Sequence, residues 1–249
     1  MELFQIIILS IVQGITEWLP VSSSGHLVLF QEFFNMEIPI YFDILLHFAT
    51  LIVIFLVFYK DIIKIIKALI KLDFKDEYGK LALYLIIGSI PTAIMGLVFK
   101  DFFLSLFTNT KVVGVGLLTT ALFLISTKFF EGKKKLSPFP AIIVGIAQGL
   151  AIIPGISRSG STISTSLLLG IRKELAVKFS FLLSVPAIIG ATILEYTPTA
   201  ITKEALLGVI LTTIVGYISL KLTIKLVLNK KFHYFSIYCF ILGILLIII

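Results

Sequence analysis

The feature that most constrains this chain is a series of long apolar runs, most of them bounded by lysine-rich segments. Six runs, at 41–59, 81–99, 111–130, 174–195, 205–228 and 233–249, have the length of a membrane crossing. About 20 apolar residues cover the hydrocarbon core as a helix, and fewer suffice where the bilayer is thin. Backbone amides in hydrocarbon must be satisfied within the protein, so such runs fold as helices. Composition agrees. Of 249 residues, 58% are hydrophobic and 14% charged, with a mean hydropathy of +1.10. A soluble domain is roughly 45–50% apolar and about 25% charged. A soluble enzyme, a disordered chain, a collagen-like rod and a disulfide scaffold are therefore excluded. Cys239 is the single cysteine, so no internal bridge forms. The fold class expected is an all-α polytopic membrane protein, one integral domain over 1–249.

The net charge of +7 is ordinary for a membrane protein oriented by basic loops, so no nucleic-acid partner is expected. Residues 1–12 lack a basic leader and no small-residue cleavage site follows, so the first apolar segment is expected to stay. One set of loops and span ends carries Lys60, Lys64, Lys67, Lys71, Lys75 and Lys80. It also carries Lys128, Lys133, Lys134, Lys135, Arg172, Lys173, Lys178, Lys221, Lys225, Lys230 and Lys231. The alternate side carries Lys100, Lys111 and Lys203. This bias places the first set in the cytoplasm and both termini outside. The Lys60–Lys80 stretch is expected as a solvated cytoplasmic loop with an amphipathic turn or two.

Two apolar stretches, 6–15 and 141–153, are too short to cross. Each stops at a Pro/Gly/Ser cluster and is followed by a second short piece, at 24–34 and 159–171. Broken segments of this kind predict re-entrant hairpins, the first entering from outside and the second from the cytoplasm. They are also related. Shifting the chain by 135 residues lays 7–25 on 142–160, and eight of nineteen positions are identical. Three are isoleucines. The informative five pair Gln13 with Gln148, Gly14 with Gly149, Ser22 with Ser157, Ser24 with Ser159, and Gly25 with Gly160. Each copy holds one hairpin and three spans, repeat 1 over about 1–135 and repeat 2 over about 136–249. Three is odd, so the second copy is inverted. Such architectures place their site near the midplane, where the broken helices meet.

The breaks carry the chemistry. The first runs from Gln13 through Glu17, Pro20, Ser22, Ser23, Ser24 and Gly25 to His26. The second runs from Pro154 through Ser157, Arg158, Ser159 and Gly160 to Thr162. Small hydroxyl residues precede a helix in both. A helix start leaves amides free and carries positive dipole charge, so two facing starts make an anion site. The plain alternative is that these serines are N-caps. Arg158 is the sharpest residue, the one basic group outside the two loop sets. Its charge in the bilayer costs at least ~2.5–3.5 kcal/mol on insertion scales. A diphosphate would offset that through paired hydrogen bonds, and so would an ion pair with Glu17. Glu17 suits a general base, a proton relay or a metal ligand. His26, one turn past the serines, suits a nucleophile or an acid for a leaving oxygen.

His47 and His233 read as structural. Asp43, Asp101 and Glu195 read as interfacial charges, Trp18 and the span-end tyrosines as an aromatic belt, and Pro91 and Pro186 as kinks. No phosphate-binding loop, Rossmann glycine pattern, metal-spaced cysteines or HExxH occurs, so nucleotide or zinc chemistry is not expected.

Gln13-x-x-x-Glu17, then Leu19 to His26, then Pro154 to Thr162, resembles the undecaprenyl-diphosphate phosphatase family, also called the bacitracin-resistance protein family. The likeness covers the whole chain in motif order, spacing, length and span pattern. It implies a cell-membrane hydrolase that removes the terminal phosphate of undecaprenyl diphosphate and recycles the lipid carrier for cell-wall glycan synthesis. It also implies an inverted repeat with two re-entrant helical pairs. Carried over, the acidic motif's second position is Glu17, its serine Ser23, its histidine His26 and its arginine Arg158, the catalytic set. Gln13, Ser22, Ser24, Gly25, Ser157, Ser159, Gly160 and Thr162 form the expected substrate-binding set. The first acidic position is often Glu and is Gln13 here, which cannot ionise. The resemblance suggests Mg²⁺ or Ca²⁺, with Glu17 as the one candidate ligand and no nucleotide. Ser23 is the expected nucleophile, with His26 or water as runner-up. The expected partners are a polyprenyl diphosphate, membrane lipids and a second copy in a homodimer, with the site nearer the outer face. The competing reading is a polyprenyl-phosphate flippase or secondary transporter on the same architecture.

Overall fold

The structure, a computed structural model, describes residues 2–34, 40–107, 109–130, 132–195 and 202–248. Its helices are α1 (Leu3–Thr16), α2 (Ser23–Phe33), α3 (Ile40–Ile70), α4 (Glu77–Val98), α5 (Lys100–Leu106) and α6 (Thr110–Ser126). They continue as α7 (Pro138–Leu150), α8 (Arg158–Leu168), α9 (Lys173–Glu195), α10 (Lys203–Leu228) and α11 (Phe235–Ile248). Local chemistry sets several starts. Asp76, Asn109 and Thr202 cap α4, α6 and α10 by accepting from the amides of Tyr78, Lys111 and Ala205. Pro138 opens α7, where its missing N–H costs nothing.

Among the described residues, five helical segments have the length and hydropathy of a crossing: Tyr41–Ile70, Glu77–Val98, Thr110–Phe129, Lys173–Leu194 and Lys203–Leu228. The sixth expected span is a shorter apolar helix over Phe232–Ile248, and residue 249 lies outside the described residues. Both short broken pieces appear as helix–turn–helix pairs, α1–α2 and α7–α8, within a few residues of the expected bounds. The Lys60–Lys80 stretch is not a loop from its start, because α3 stays helical through Ile70 with Lys60, Lys64 and Lys67 on it. Its apolar residues recur at helical spacing, with Ile65 and Ala68 buried, and the lysines occupy the remaining faces. Phe58, at φ −108° and ψ 19°, marks a kink within α3. Pro91 and Pro186 sit inside α4 and α9, which continue through them. The side chain of Glu195 lies outside the described residues.

Pairwise packing organises the bundle. α1 lies along α10, α7 along α4 and α6 along α11, while α3 joins α9 and α10. Polar side chains on the spans close these pairs. Thr212 on α10 donates to the Ser10 carbonyl at 3.1 Å, and Thr92 on α4 donates to the Gly145 carbonyl at 2.9 Å. Gly145 lies against Gly88, where a Cβ on it would strike the Gly88 carbonyl. The non-helical breaks are buried in protein, as backbone at membrane depth requires. At the first, Thr223 donates to the Trp18 carbonyl at 3.1 Å and the Cys239 thiol to the Pro20 carbonyl at 3.4 Å. At the second, Thr120 donates to the Gly155 carbonyl at 2.9 Å and accepts from the Ser157 amide at 2.9 Å. Gly155 turns with φ +90° against Val113, a place for glycine alone.

Both ends of the α7–α8 pair meet on one side. The Lys134 amide donates to Gly170 and the Arg172 amide to Lys134. The outward faces are apolar: Leu83, Ile86, Ile90, Ile94 and Leu97 form an exposed stripe on α4, as a lipid-facing helix requires.

Candidate active site

Two helix starts converge here. Ser22 caps α2 by accepting from the Gly25 amide at 3.3 Å, and Ser157 caps α8 by accepting from the Gly160 amide at 3.1 Å. Each cap hydroxyl also meets its second neighbour, Ser24 or Ser159, at 3.3 Å. The serines are thus N-caps, and in capping they aim two helix starts into one region. The first helical residues, Ser23 and Arg158, are equivalent under the 135-residue shift and both are half-buried.

Both reach Glu17, which is buried at the end of α1. Arg158 Nη2 pairs with Glu17 Oε1. Ser23 Oγ donates to Glu17 Oε2 at 2.7 Å, and Gln13 Nε2 donates to the same oxygen at 3.2 Å. One carboxylate therefore accepts from a guanidinium, a hydroxyl and an amide. Removing one partner of such a pair strands a buried charge, at a cost of roughly 3–5 kcal/mol. The second nitrogen of the guanidinium, Nη1, is buried and has no hydrogen-bond partner among the described residues. A donor left unpaired costs about 1–3 kcal/mol, which an incoming anion would recover.

Trp18 is not in an aromatic belt, as expected, but fully buried. Because α1 ends inside the bundle, the indole packs edge-on against Phe181 with centroids 5.6 Å apart. Its ring also supports the guanidinium of Arg158, whose Cζ lies 5.8 Å from the centroid.

Ser22 has φ 70° and ψ 99°, an unusual conformation for a residue with a side chain, whereas Ser157 is extended at φ −73° and ψ 122°. Strain of roughly 1–3 kcal/mol is thus confined to the break that presents Ser23. The twisted Ser22 directs its carbonyl to His26, receiving the His26 amide at 3.2 Å and Nδ1 at 2.8 Å.

Gln13, Glu17, Ser23 and Arg158 thus form one network, flanked by Ser22, Ser24, Gly25, Ser157, Ser159 and Gly160 in the two helix starts. Thr162 turns the other way, donating to the Arg158 carbonyl at 2.7 Å and meeting Ser180. His26 is buried beside the network and bonds through Nε2 to the Tyr238 hydroxyl at 2.6 Å.

Three further residues stand outside the expected site set. Tyr238 had no motif to mark it. His47, read as structural, stands on α3 with its Nδ1 3.0 Å from the Asp43 carbonyl. Asp43, read as interfacial, sits 3.6 Å from His47 Nδ1; the i,i+4 spacing of the pair was the available signal.

Comparison with known proteins gives the family. A family model described as bacitracin resistance protein BacA matches residues 6–245. An undecaprenyl-diphosphatase of Korarchaeum cryptofilum is 43% identical, covering 98% of this chain and 98% of its own. Proteins of the same name are 42% identical in Halothermothrix orenii (100% and 98% covered) and 43% identical in Methanococcus vannielii (97% and 98% covered). The chain belongs to the BacA bacitracin resistance protein family.

Proposed function

We propose that this protein is a membrane-embedded phosphatase that removes the terminal phosphate of undecaprenyl diphosphate and returns the monophosphate carrier to cell-wall glycan synthesis. The relatives' printed activity and the family membership support the reaction. The observation that carries it is the unpaired Nη1 of Arg158 beside a serine already bonded to a carboxylate. Phosphoryl transfer needs mostly positioning and charge stabilisation, which a guanidinium and two helix starts supply. Arg158 and the amides near Ser157 and Ser22 hold the diphosphate. Ser23 Oγ passes its proton to Glu17 Oε2 and attacks the terminal phosphorus, and the bridging oxygen leaves with the lipid monophosphate. Water then hydrolyses the phosphoserine, with Glu17 returning the proton. His26, protonated at Nε2, gives that proton to the leaving oxygen and regains one from the attacking water. The family and relatives do not favour a flippase or transporter.

Under the 135-residue shift the N-cap bonds of Ser22 and Ser157 match, and so do the paired hydroxyls beside them. The acceptors of the Thr212–Ser10 and Thr92–Gly145 bonds match under the same shift as well, and their donors stand on α10 and α4, the second span of each expected copy. These coincidences support an inverted-topology repeat. The orientation, with both termini outside and the site nearer the outer face, rests on the lysine pattern. A homodimer is a further proposal, which the mass of the detergent-solubilised protein tests.

The described residues do not fit a protein-held Mg²⁺ or Ca²⁺ ion. No group of three His, Cys, Asp or Glu comes together among them, and Glu17's oxygens are engaged by a cation and two donors. No step here runs through a metal. Any divalent cation is proposed to come with the diphosphate, so titration of the substrate-free protein should show no binding heat.

Purified protein in detergent should release inorganic phosphate from undecaprenyl diphosphate. Arg158→Ala should lose about 10³-fold or more in kcat/KM while still inserting into membranes. Absence of release by the unaltered protein, or full release by the variant, overturns the reading.

A further inference from the structure

Tyr238 stands on α11, 212 positions from His26, yet its hydroxyl lies 2.6 Å from His26 Nε2. The two rings lie nearly parallel, at 10°, with centroids 5.8 Å apart. The other ring nitrogen, Nδ1, lies 2.8 Å from the Ser22 carbonyl. A carbonyl can only accept, so Nδ1 carries a proton. In the neutral ring Nε2 is then the acceptor, and the phenol donates to it. The imidazole is thus fixed at both nitrogens, by its own helix start on one side and by the far end of the chain on the other. The next residue reinforces the contact, because the Cys239 thiol donates to the Pro20 carbonyl in the same break. This end of α11 is therefore fastened to the α1–α2 break at two adjacent residues, one bond on the backbone and one on His26.

We propose that Tyr238 is a positioning residue for His26, holding its imidazole in the Nδ1–H tautomer and in a single orientation beside the Glu17–Ser23 pair. Held this way, the ring loses little freedom on entering the transition state. The only basic atom His26 can offer, Nε2, is the one that Tyr238 addresses. This inference rests on the phosphatase reading above, with His26 handling a proton of the leaving group.

The test is Tyr238→Phe, which keeps the ring contact and removes only the hydroxyl. With undecaprenyl diphosphate in detergent, kcat should fall about tenfold with KM nearly unchanged, the size of one lost hydrogen bond. In a His26→Ala background the same substitution should cost nothing further, because the residue acts only through the imidazole. Imidazole ¹⁵N shifts, assigned to His26 by comparison with His26→Ala, should report the Nδ1–H tautomer at high pH. In Tyr238→Phe they should report a mixture. Unchanged kcat with an unchanged tautomer overturns the proposal, as does an additive loss in the His26→Ala background. Failure of the unaltered protein to release phosphate overturns the phosphatase reading instead, and the tautomer measurement still tests Tyr238 without activity.

Discussion

Ser23 and Arg158 hold equivalent places at the starts of α2 and α8, and one carboxylate joins them. The two positions, which align under the 135-residue shift, thus differ in chemistry, with a hydroxyl at one and a guanidinium at the other. The consequence for catalysis is direct. Ser23→Ala should reduce phosphate release on the order of a thousandfold or more, since the attacking atom is gone. His26→Ala should cost about a hundredfold, the weight of a proton-transfer group. A brief reaction with labelled diphosphate followed by acid quench should leave acid-stable phosphoserine at Ser23; acid-labile label on His26 would reverse the two roles. Gln13 yields another outcome. Its amide donates to Glu17 at 3.2 Å, so Gln13→Glu replaces a donor with a like charge. That variant should lose activity without divalent cation and recover more of it with Mg²⁺ than the unaltered protein does, measured by phosphate release across a metal titration. The residues of this network were legible in the sequence because both breaks share a pattern and Arg158 fits no loop set. Tyr238 was not, since a tyrosine near a span end has many uses and only the folded chain brings it across to His26. Trp18 was misplaced for a related reason: nothing local shows that α1 ends inside the bundle instead of at an interface.

At the scale of elements, the helices follow from apolar run length and from the Pro/Gly/Ser clusters that interrupt two of them. Both broken pairs were legible for that reason, while the extension of α3 through Ile70 was not. Lysines suggested a loop, yet long basic side chains lie readily along the outside of a helix whose other face is buried. Nor did any sequence pattern mark which helix lies against which. That depends on small residues and hydroxyls such as Gly88, Gly145, Thr92 and Thr212, whose partners are fixed only in three dimensions. Thr92→Val and Thr212→Val each remove one of the two matching bonds and keep the shape. Each should lower stability by about 0.6 kcal/mol, the usual worth of an interhelical hydrogen bond in a membrane protein. Unfolding in detergent should show a loss from each, larger for Thr92→Val because its hydroxyl also accepts from Gln148 Nε2 at 3.3 Å, and additivity in the double variant. A large loss from one with none from the other would argue that α4–α7 and α10–α1 are not equivalent pairs.

For the whole molecule, lysine placement bears on which end faces out. The turn between α3 and α4 carries Lys71 and Lys75, the segment before α7 carries Lys133, Lys134 and Lys135, and the end of α10 leads to Lys230 and Lys231. All three fall on one side if the five long helices cross in alternation, and Lys100, Lys111 and Lys203 fall on the other. The native cysteine helps to test this. Cys239 is fully buried against the Pro20 carbonyl, so it should stay silent toward a charged maleimide in the folded protein. Lys75→Cys and Lys111→Cys then report the two faces against a clean background, both positions being exposed. In intact cells Lys111→Cys should label with the impermeant reagent, and Lys75→Cys only after permeabilisation. The Lys134–Arg172 backbone clasp keeps both ends of the α7–α8 pair at one face, so Lys133→Cys should behave as Lys75→Cys does. The reverse pattern would turn the molecule over and place the mouth of the Glu17–Arg158 site toward the cytoplasm, where its diphosphate would have to be delivered from inside.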